Sequence, residues 1–315
     1  MKTRKIVIIG AGHVGSHCGF SLITQGVCDE LVYIDKDNDK AVSQAIDLAD
    51  ATVYLPHHVN VRAGGYDELA DADIAVMAAG PLPDKNQTRM DTLGATIKEM
   101  KTIVGPMKDS GFSGILISIS NPADVIAHYL QVRTGLPAKH VISTSTTLDS
   151  ARLRRVLSER TGLDQKSIHA YVMGEHGESQ MVPWSNASIA GVPLLELMKK
   201  YPETYGKLNL TEIAEEARKG GWVILYGKGS TEFGIGTALT EIVKTIFHNE
   251  QKILPVSCLL EGQYGQKDVY ASVPAVLGAD GVERIVEIDM TPEELKKFAD
   301  SCETMRKNFE LSLNM

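Results

Sequence analysis

The sequence has little cysteine and no long apolar run, and each shortage excludes a class of protein. Its four cysteines, Cys18, Cys28, Cys258 and Cys302, lack C-x-x-C spacing and lie outside any short secreted framework. We therefore expect reduced thiols in a cytoplasmic protein. No stretch of 18 apolar residues occurs, and the apolar run after the basic start breaks at Gly10, so neither a membrane span nor a signal peptide is expected.

Basic charge is also short, because 32 Lys and Arg face 40 Asp and Glu, for a net charge of −8. An acidic surface repels phosphate backbones and anionic lipids, so nucleic acids and membranes are poor candidate partners and small ligands remain. The aromatic residues Trp222, Phe233 and Phe247 do not interleave with Lys and Arg as a stacking platform requires. His57 and His58 have no third ligand at a supporting spacing, so no metal site is expected.

The first half of the chain alternates short, β-branched runs with helix-length segments. Runs at residues 5–9, 30–34, 74–79, 114–120 and 140–145 are predicted strands. Continuous apolar strands that alternate with helices predict an α/β fold with a doubly wound parallel sheet of the Rossmann type. Such a sheet binds ligands in a crevice at the carboxyl ends of its strands.

The second half is predicted to be an α+β domain with antiparallel strands. Helical patterns cover about 150–161, 210–228 and 231–248, and strands are predicted at 269–276 and 283–287. A capping box with proline at its first helical position begins at Thr291, and an apolar face follows from Leu295 to Phe309. We expect two closely packed domains, residues 1–147 and 148–315.

A glycine motif, Gly10, Gly12 and Gly15, follows the first strand and opens a helix. Glycines at these positions allow a tight turn, close approach of a pyrophosphate and close contact of helix and strand. Asp35 ends the second strand, where a carboxylate accepts hydrogen bonds from the adenosine ribose and repels a 2′-phosphate. The pattern predicts an NAD-binding first domain. The structural alternative is that Asp35 only caps the next turn.

Three later segments place polar groups near predicted strand ends. They are residues 84–91, which contain Arg89, residues 148–152 and residues 174–177. Each has an ordinary explanation alone: Arg89 as a solvated residue, Arg152 as a helix charge, and His176 as a satisfied core histidine. Their joint occurrence after a dinucleotide motif favours an active site.

With these residues, the sequence resembles the L-lactate/malate dehydrogenase family over essentially its whole length. The matching segments are the glycine motif with Asp35 and residues 120–122, 148–152 and 174–177. The resemblance implies an NAD-dependent oxidoreductase that interconverts L-2-hydroxy acids and 2-oxo acids.

The resemblance also implies a role for each matching side chain. His176 is similar to the family's proton donor and acceptor, and Asp149 to the carboxylate that holds it. Arg152 resembles the clamp for the substrate carboxylate, and Arg89 the lid arginine that polarises the reacting carbonyl. The family's further substrate-pocket groups correspond to Asn121 and Thr231. These residue types suit the reaction, because histidine titrates near neutrality and arginine binds a carboxylate through two parallel hydrogen bonds.

The preferred 2-hydroxy acid is less defined by the resemblance. Malate enzymes have an arginine six residues before the lid arginine and lactate enzymes usually have glutamine, whereas this sequence has Pro83. Gly220 and Gly221 resemble the paired glycines of L-2-hydroxyisocaproate dehydrogenases, which widens the expected pocket; alternatively they let a helix approach its neighbour. Pyruvate and L-lactate are the leading pair, with an L-2-hydroxyisocaproate dehydrogenase as the alternative and a non-catalytic NAD-binding sensor as a remote one.

Regulation and assembly are predicted by resemblance as well. Arg154 and His169 fall where allosteric bacterial lactate dehydrogenases hold fructose 1,6-bisphosphate between subunits of a homotetramer. Two cationic groups paired across a symmetry axis suit a bisphosphate. The alternatives are a solvated helix charge at Arg154 and a buried strand residue at His169.

Overall fold

The computed structural model describes residues 3–82 and 90–315. The strands are β1 (Lys5–Ile9), β2 (Glu30–Ile34), β3 (Asn60–Ala63), β4 (Ile74–Met77), β5 (Ile115–Ser118), β6 (Val141–Ser143), β7 (Ile168–His169), β8 (Ser188–Ile189), β9 (Val192–Pro193), β10 (Lys252–Glu261), β11 (Lys267–Gly278) and β12 (Gly281–Ile285). The helices are α1 (His13–Thr24), α2 (Asn38–Thr52), α3 (Leu93–Asp109), α4 (Ala123–Thr134), α5 (Thr146–Thr161), α6 (Leu194–Lys200), α7 (Leu210–Lys228), α8 (Phe233–Phe247) and α9 (Pro292–Leu313).

The predicted parallel sheet forms the centre of the molecule. Within the described ranges the sheet has nine strands in the order β12-β11-β10-β6-β5-β4-β1-β2-β3. β1 pairs in parallel with β2 and β4, β4 pairs with β5, and β5 pairs with β6. The five predicted parallel strands are therefore confirmed, and β3 adds one at the edge that was not predicted.

The continuous apolar sequence of β1 follows from burial on both of its faces. Ile6 and Ile8 belong to one core cluster, whereas Val7 and Ile9 belong to another. Successive side chains of a strand point to opposite faces, so the two clusters lie on opposite sides of the sheet. A strand covered on both faces needs apolar residues at every position.

The antiparallel strands predicted in the second half are confirmed, and they extend the same sheet. β10 pairs with β11, and β11 pairs with β12. β10, which was not predicted, joins β6 through the pair Ser257 and Ser143. A separate antiparallel sheet contains β7, β8 and β9.

The closing helix α9 has the predicted start and most of the predicted apolar face. The Thr291 hydroxyl accepts from the Glu294 backbone N–H, and the Glu294 side chain accepts from the backbone of Thr291. Phe298 and Met305 are buried, whereas Leu295 in the first turn is 37% exposed. The predicted apolar face is therefore buried only from Phe298 onward, one turn after Leu295.

The carboxyl ends of β1, β4, β5 and β6 meet at one edge of the sheet, where the candidate site lies. The four cysteines are buried free thiols, and burial raises the pKa of Cys18 to about 12. In the part of the chain that the structure covers, no helix is long and apolar enough to cross a membrane.

Candidate active site

The glycine motif forms a tight turn between β1 and α1. Gly10 has φ +107°, and a Cβ there would lie 2.7 Å from the backbone carbon of Ala78. A Cβ on Gly15 would lie 1.9 Å from the Gly10 carbonyl oxygen. Gly12 is the N-cap of α1, and a Cβ there would have only the Lys40 ammonium within 4 Å, at 3.9 Å. The turn thus leaves the positive end of α1 open beside a cation, an arrangement that fits a pyrophosphate.

Asp35 lies beside this turn, as the sequence predicts. Its Oδ2 accepts from the Ala11 backbone N–H at 2.7 Å, and its Oδ1 accepts from the Asp37 backbone N–H at 3.0 Å. The bond from Asp37 N–H is the turn cap that the structural alternative expected, whereas the N-cap of α2 itself is Asp37, which accepts from Lys40 N–H. Each Asp35 oxygen keeps a second lone pair for a ribose hydroxyl. Gly10, Gly12 and Asp35 line one cavity of about 550 Å³.

The predicted proton donor, its carboxylate and the predicted clamp are joined in one network. The ring Nδ1 of His176 contacts Asp149 Oδ2. Arg152 Nη1 donates to Asp149 Oδ1 at 2.8 Å. Asp149 and Arg152 lie one turn apart on α5, which brings their side chains together, and the loop of His176 supplies the second partner of the carboxylate. Asp149 is 1% exposed and Arg152 7% exposed, so the network is shielded from water.

The His176 loop is held by elements far apart in the chain. Gly174 pairs with Ser272 of β11 through two backbone hydrogen bonds of 3.0 Å. The Glu175 N–H donates to Ser301 Oγ of α9 at 2.9 Å. Gly174 has φ +85°, and a Cβ there would lie 2.5 Å from Ser301 Oγ. The Gly-Glu-His-Gly pattern therefore reflects backbone geometry as well as chemistry.

Asp124 is a site residue that the sequence analysis missed. Its Oδ2 accepts from the His176 backbone N–H at 2.8 Å, and its Oδ1 accepts from the Ser145 hydroxyl at 2.8 Å. Ser145 has φ +36°, which is unusual for a residue with a side chain. Burial raises the pKa of the Asp124 carboxyl group. Asp124 lies in the first turn of α4, where acidic residues are common, but its place just after β5 was an available signal.

A cavity of about 100 Å³ brings the predicted substrate groups together. His176, Arg152, Asn121 and Thr231 line it, and so does Val14 of the glycine motif. The Asn121 side-chain oxygen is buried and has no hydrogen-bond partner among the described residues. A buried polar atom without a partner is costly, so a ligand that donates to it fits this position. Leu82, Leu148, Trp222 and Leu225 add apolar walls.

The two glycines among the three predicted specificity positions behave differently. Gly221 lines the cavity, whereas a Cβ on Gly220 would lie 3.4 Å from Arg152 Cδ. A Cβ on Gly220 would thus make only ordinary van der Waals contact with the Arg152 side chain, so this contact does not require glycine, and both readings of the glycine pair stay predictions. Pro83 and Arg89 lie outside the described residues.

Neither of the candidate regulatory residues lines this cavity. Arg154 is half-buried on α5, and His169 is exposed on β7 rather than buried. Across residues 3–82 and 90–315, no group of three or more His, Cys, Asp or Glu is placed to hold a metal ion.

Comparisons with known proteins cover nearly the whole chain. The profile of the lactate/malate dehydrogenase NAD binding domain matches residues 4–143, and that of the lactate/malate dehydrogenase alpha/beta C-terminal domain matches residues 146–315. L-lactate dehydrogenase 3 of Bacillus thuringiensis subsp. konkukian is 43% identical over 304 residues, which cover 96% of each chain. L-lactate dehydrogenase of Fusobacterium nucleatum is 43% identical over 311 residues, 99% of this chain and 98% of the relative.

A solved structure has the same architecture. MGS-M5, a lactate dehydrogenase enzyme from a Medee basin deep-sea metagenome library, superposes with a TM-score of 0.93. It is 36% identical in sequence, and the match covers 99% of both chains.

Proposed function

The chain belongs to the lactate/malate dehydrogenase family and is an NAD-dependent oxidoreductase acting on a hydroxy acid; from this premise we propose that it interconverts pyruvate and L-lactate. The observation that carries the proposal is the shared cavity, where Val14 of the glycine motif lies with His176 and Arg152. In this proposal residues 1–147 hold NAD, through Gly10, Gly12, Gly15 and Asp35, and residues 148–315 supply most substrate groups.

His176 supplies the proton in the direction of reduction. NADH, when bound, supplies a hydride to carbon 2 of the 2-oxo acid. Because Nδ1 of His176 is held by Asp149, its Nε2 is the ring nitrogen that protonates the carbonyl oxygen. Asp149 fixes the ring orientation and stabilises the positively charged imidazolium. The reverse reaction uses the same atoms, with His176 accepting the proton.

Arg152 orients the substrate through its carboxylate. One of its nitrogens is bonded to Asp149, and the remaining N–H groups of the fork can donate to a carboxylate. Asn121 and Thr231 bind other polar atoms of the substrate in the same cavity. By resemblance, Arg89 closes over the substrate and polarises its carbonyl, which excludes water from the reaction.

The apolar walls favour one second candidate, an L-2-hydroxyisocaproate dehydrogenase. Gly221 adds no side chain to the cavity, while Trp222 and Leu225 give it apolar surface. Each methylene in such a pocket changes selectivity by only about 1–3 kcal/mol, so a modest widening admits branched 2-oxo acids. Pro83 in place of arginine disfavours the second carboxylate of oxaloacetate.

Initial rates with NADH test the proposal directly. We expect a higher kcat/KM for pyruvate than for 4-methyl-2-oxopentanoate, and L-lactate as the product on chiral analysis. A preference for 4-methyl-2-oxopentanoate would replace pyruvate by the second candidate. NADH binding without oxidation by any 2-oxo acid would instead support the non-catalytic sensor.

Regulation and assembly complete the proposal. We place the enzyme in the cytoplasm as a homotetramer in which Arg154 and His169 bind fructose 1,6-bisphosphate between subunits. Activation follows if the bisphosphate binds the active arrangement better than the inactive one. Pyruvate saturation curves at low enzyme concentration should shift to lower substrate with the bisphosphate, and an Arg154→Gln variant should lose this shift. Unchanged curves for the unsubstituted enzyme would contradict this part.

A further inference from the structure

A second carboxylate lies in the cavity that contains Asp35. Lys36 follows Asp35 at the end of β2, and its Nζ lies 2.7 Å from Glu99 Oε1 of α3. Both residues line the 550 Å³ cavity with Gly10 and Gly12. The Glu99 side chain is 28% exposed, whereas that of Lys36 is 77% exposed, so the carboxylate is the better anchored partner.

The charges around this cavity are nearly balanced. Lys36, Lys40 and Lys98 line it, and the carboxylates of Asp35 and Glu99 oppose them, which leaves one net positive charge. The hydrogen bond that the Lys36 ammonium group donates to Glu99 raises the pKa of Lys36, as expected for a pair in direct contact. Removal of the Glu99 charge would leave two net positive charges and an unpaired lysine beside Asp35.

Asp35 alone repels a 2′-phosphate less strongly than an isolated carboxylate would. Both of its oxygens accept backbone N–H groups, from Ala11 and Asp37, and these dipoles offset part of its negative charge. An ammonium group on the next residue attracts the same phosphate that Asp35 repels. Discrimination against a phosphorylated ribose therefore requires a partner for that ammonium group.

We propose that Glu99 is a second determinant of cofactor choice, which excludes 2′-phosphorylated adenine dinucleotides by holding Lys36 in an ion pair. The inference rests on the proposed placement of NAD, with its adenosine ribose at Asp35. Glu99 acts through Lys36 and not by contact with the ribose. Its role is thus distinct from that of Asp35, which binds the ribose hydroxyls directly.

Binding titrations with NADH and NADPH, without a 2-oxo acid, separate these roles. In Glu99→Gln we expect the Kd of NADPH to fall by about three- to fivefold, the upper part of the range for one charge contact at an exposed site. The Kd of NADH should stay within about 1.5-fold of the wild-type value. The double variant Lys36→Gln with Glu99→Gln should lose this gain. Asp109→Asn, an equal charge change at the exposed end of α3, is the matched control.

Ionic strength gives a second readout. The gain in NADPH affinity of Glu99→Gln comes from an exposed charge, so it should become smaller when added salt shortens the Debye length. An equal change for both nucleotides in Glu99→Gln, or a gain retained in the double variant, overturns the inference while the NAD site stands. A wild-type chain that binds no NADH overturns the NAD site itself, and the inference with it.

Discussion

At the scale of single residues, the Asp149 carboxylate couples proton transfer to substrate orientation. Each of its oxygens has a different partner, the His176 ring and the Arg152 guanidinium group. The guanidinium group neutralises part of the charge that the imidazole ring faces, and Asp149 in turn fixes both side chains. Loss of Asp149 should therefore impair both proton transfer and substrate binding. Substitution of His176 should affect mainly the first, and substitution of Arg152 mainly the second.

Substitution of the two partners should affect different kinetic constants. His176→Gln removes the group that transfers the proton, so kcat for pyruvate reduction should fall by about 10²- to 10⁴-fold. Arg152→Lys keeps the positive charge but loses the two-pronged contact, so KM for pyruvate should rise by about 10- to 150-fold, the loss of one hydrogen bond to a charged group of about 1.5–3 kcal/mol. Steady-state kinetics with NADH measure both constants. Near-native turnover of the His176 variant would remove it from this role.

Asp124 allows a test of positioning without loss of a reacting group. Asn has the same shape as the protonated acid, and its oxygen can still accept from the His176 backbone N–H, so Asp124→Asn should retain most activity. Asp124→Ala leaves that N–H without an acceptor, and we expect a fall in kcat of about tenfold or more, with destabilisation of about 1–3 kcal/mol. The measurements are kcat, urea unfolding and the Kd of NADH.

An unchanged Kd of NADH in both Asp124 variants would show that the cofactor site is intact. A wild-type kcat in Asp124→Ala would contradict the positioning role. The split between kcat and KM for pyruvate adds a readout that a merely structural role would not move, because displacement of the His176 ring slows proton transfer while Arg152 still binds the substrate carboxylate.

Sequence patterns predicted the residues of the network formed by His176, Asp149 and Arg152, but they did not predict the long-range contacts that position these residues. His176, Asp149 and Arg152 stand in short motifs, and the structure places them together as expected. Asp124 was missed because its two hydrogen-bond donors, the Ser145 hydroxyl and the His176 backbone N–H, lie 21 and 52 residues away along the chain, a relation that no local spacing encodes.

At the scale of elements, the predicted parallel strands were those with a continuous apolar sequence, whereas β3 and β10, two of the strands that were not predicted, lack one. β10 contains Pro255, and a proline within a run argues against an internal strand. Its ladder with β6 comprises the single pair Ser257 and Ser143, so little backbone pairing is required beside the proline. β3 is a partly exposed edge strand with polar residues, and it lacks the apolar pattern for that reason.

The contact between α4 and α9 contains a buried histidine that should make stability depend on pH. His128 stacks on Phe309, with ring centroids 3.5 Å apart, and lies 5.2 Å from the Tyr270 ring. Burial lowers its pKa from 6.5 to about 4. The unfolded chain binds more protons between these values, so stability is complete above about pH 6.5 and falls as the pH decreases towards 4.

Urea unfolding of His128→Phe tests this dependence. The full effect of such a shift is at most about 3 kcal/mol, and about 2 kcal/mol of it should appear between pH 7.5 and pH 5. Phe keeps the stacked ring but cannot be protonated, so the variant should lose that part of the acid sensitivity. An identical pH dependence in the variant and the wild type would show that other groups cause it.

At the scale of the whole molecule, the two predicted domains share a sheet and a core. Ile8 of β1, Leu239 of α8 and Phe298 of α9 belong to one hydrophobic cluster. The Thr240 hydroxyl of α8 donates to Ser21 Oγ of α1 at 2.9 Å. Because apolar surface of each half is buried against the other, neither half keeps its core when the other unfolds.

We therefore expect unfolding in urea as one cooperative transition, although chains of this length often unfold in stages. Both tryptophans, Trp184 and Trp222, lie in the second half and report on it alone, whereas far-ultraviolet circular dichroism reports on the whole chain. The midpoints of the two signals should coincide. NADH at about 100 times its Kd should raise the free energy of unfolding by about 2.7 kcal/mol. The increase should appear in both signals, although the glycine motif lies in the first half. A tryptophan transition that occurs at lower urea and does not respond to NADH would show that the halves unfold separately, because NADH bound to the first half would then not stabilise the second half.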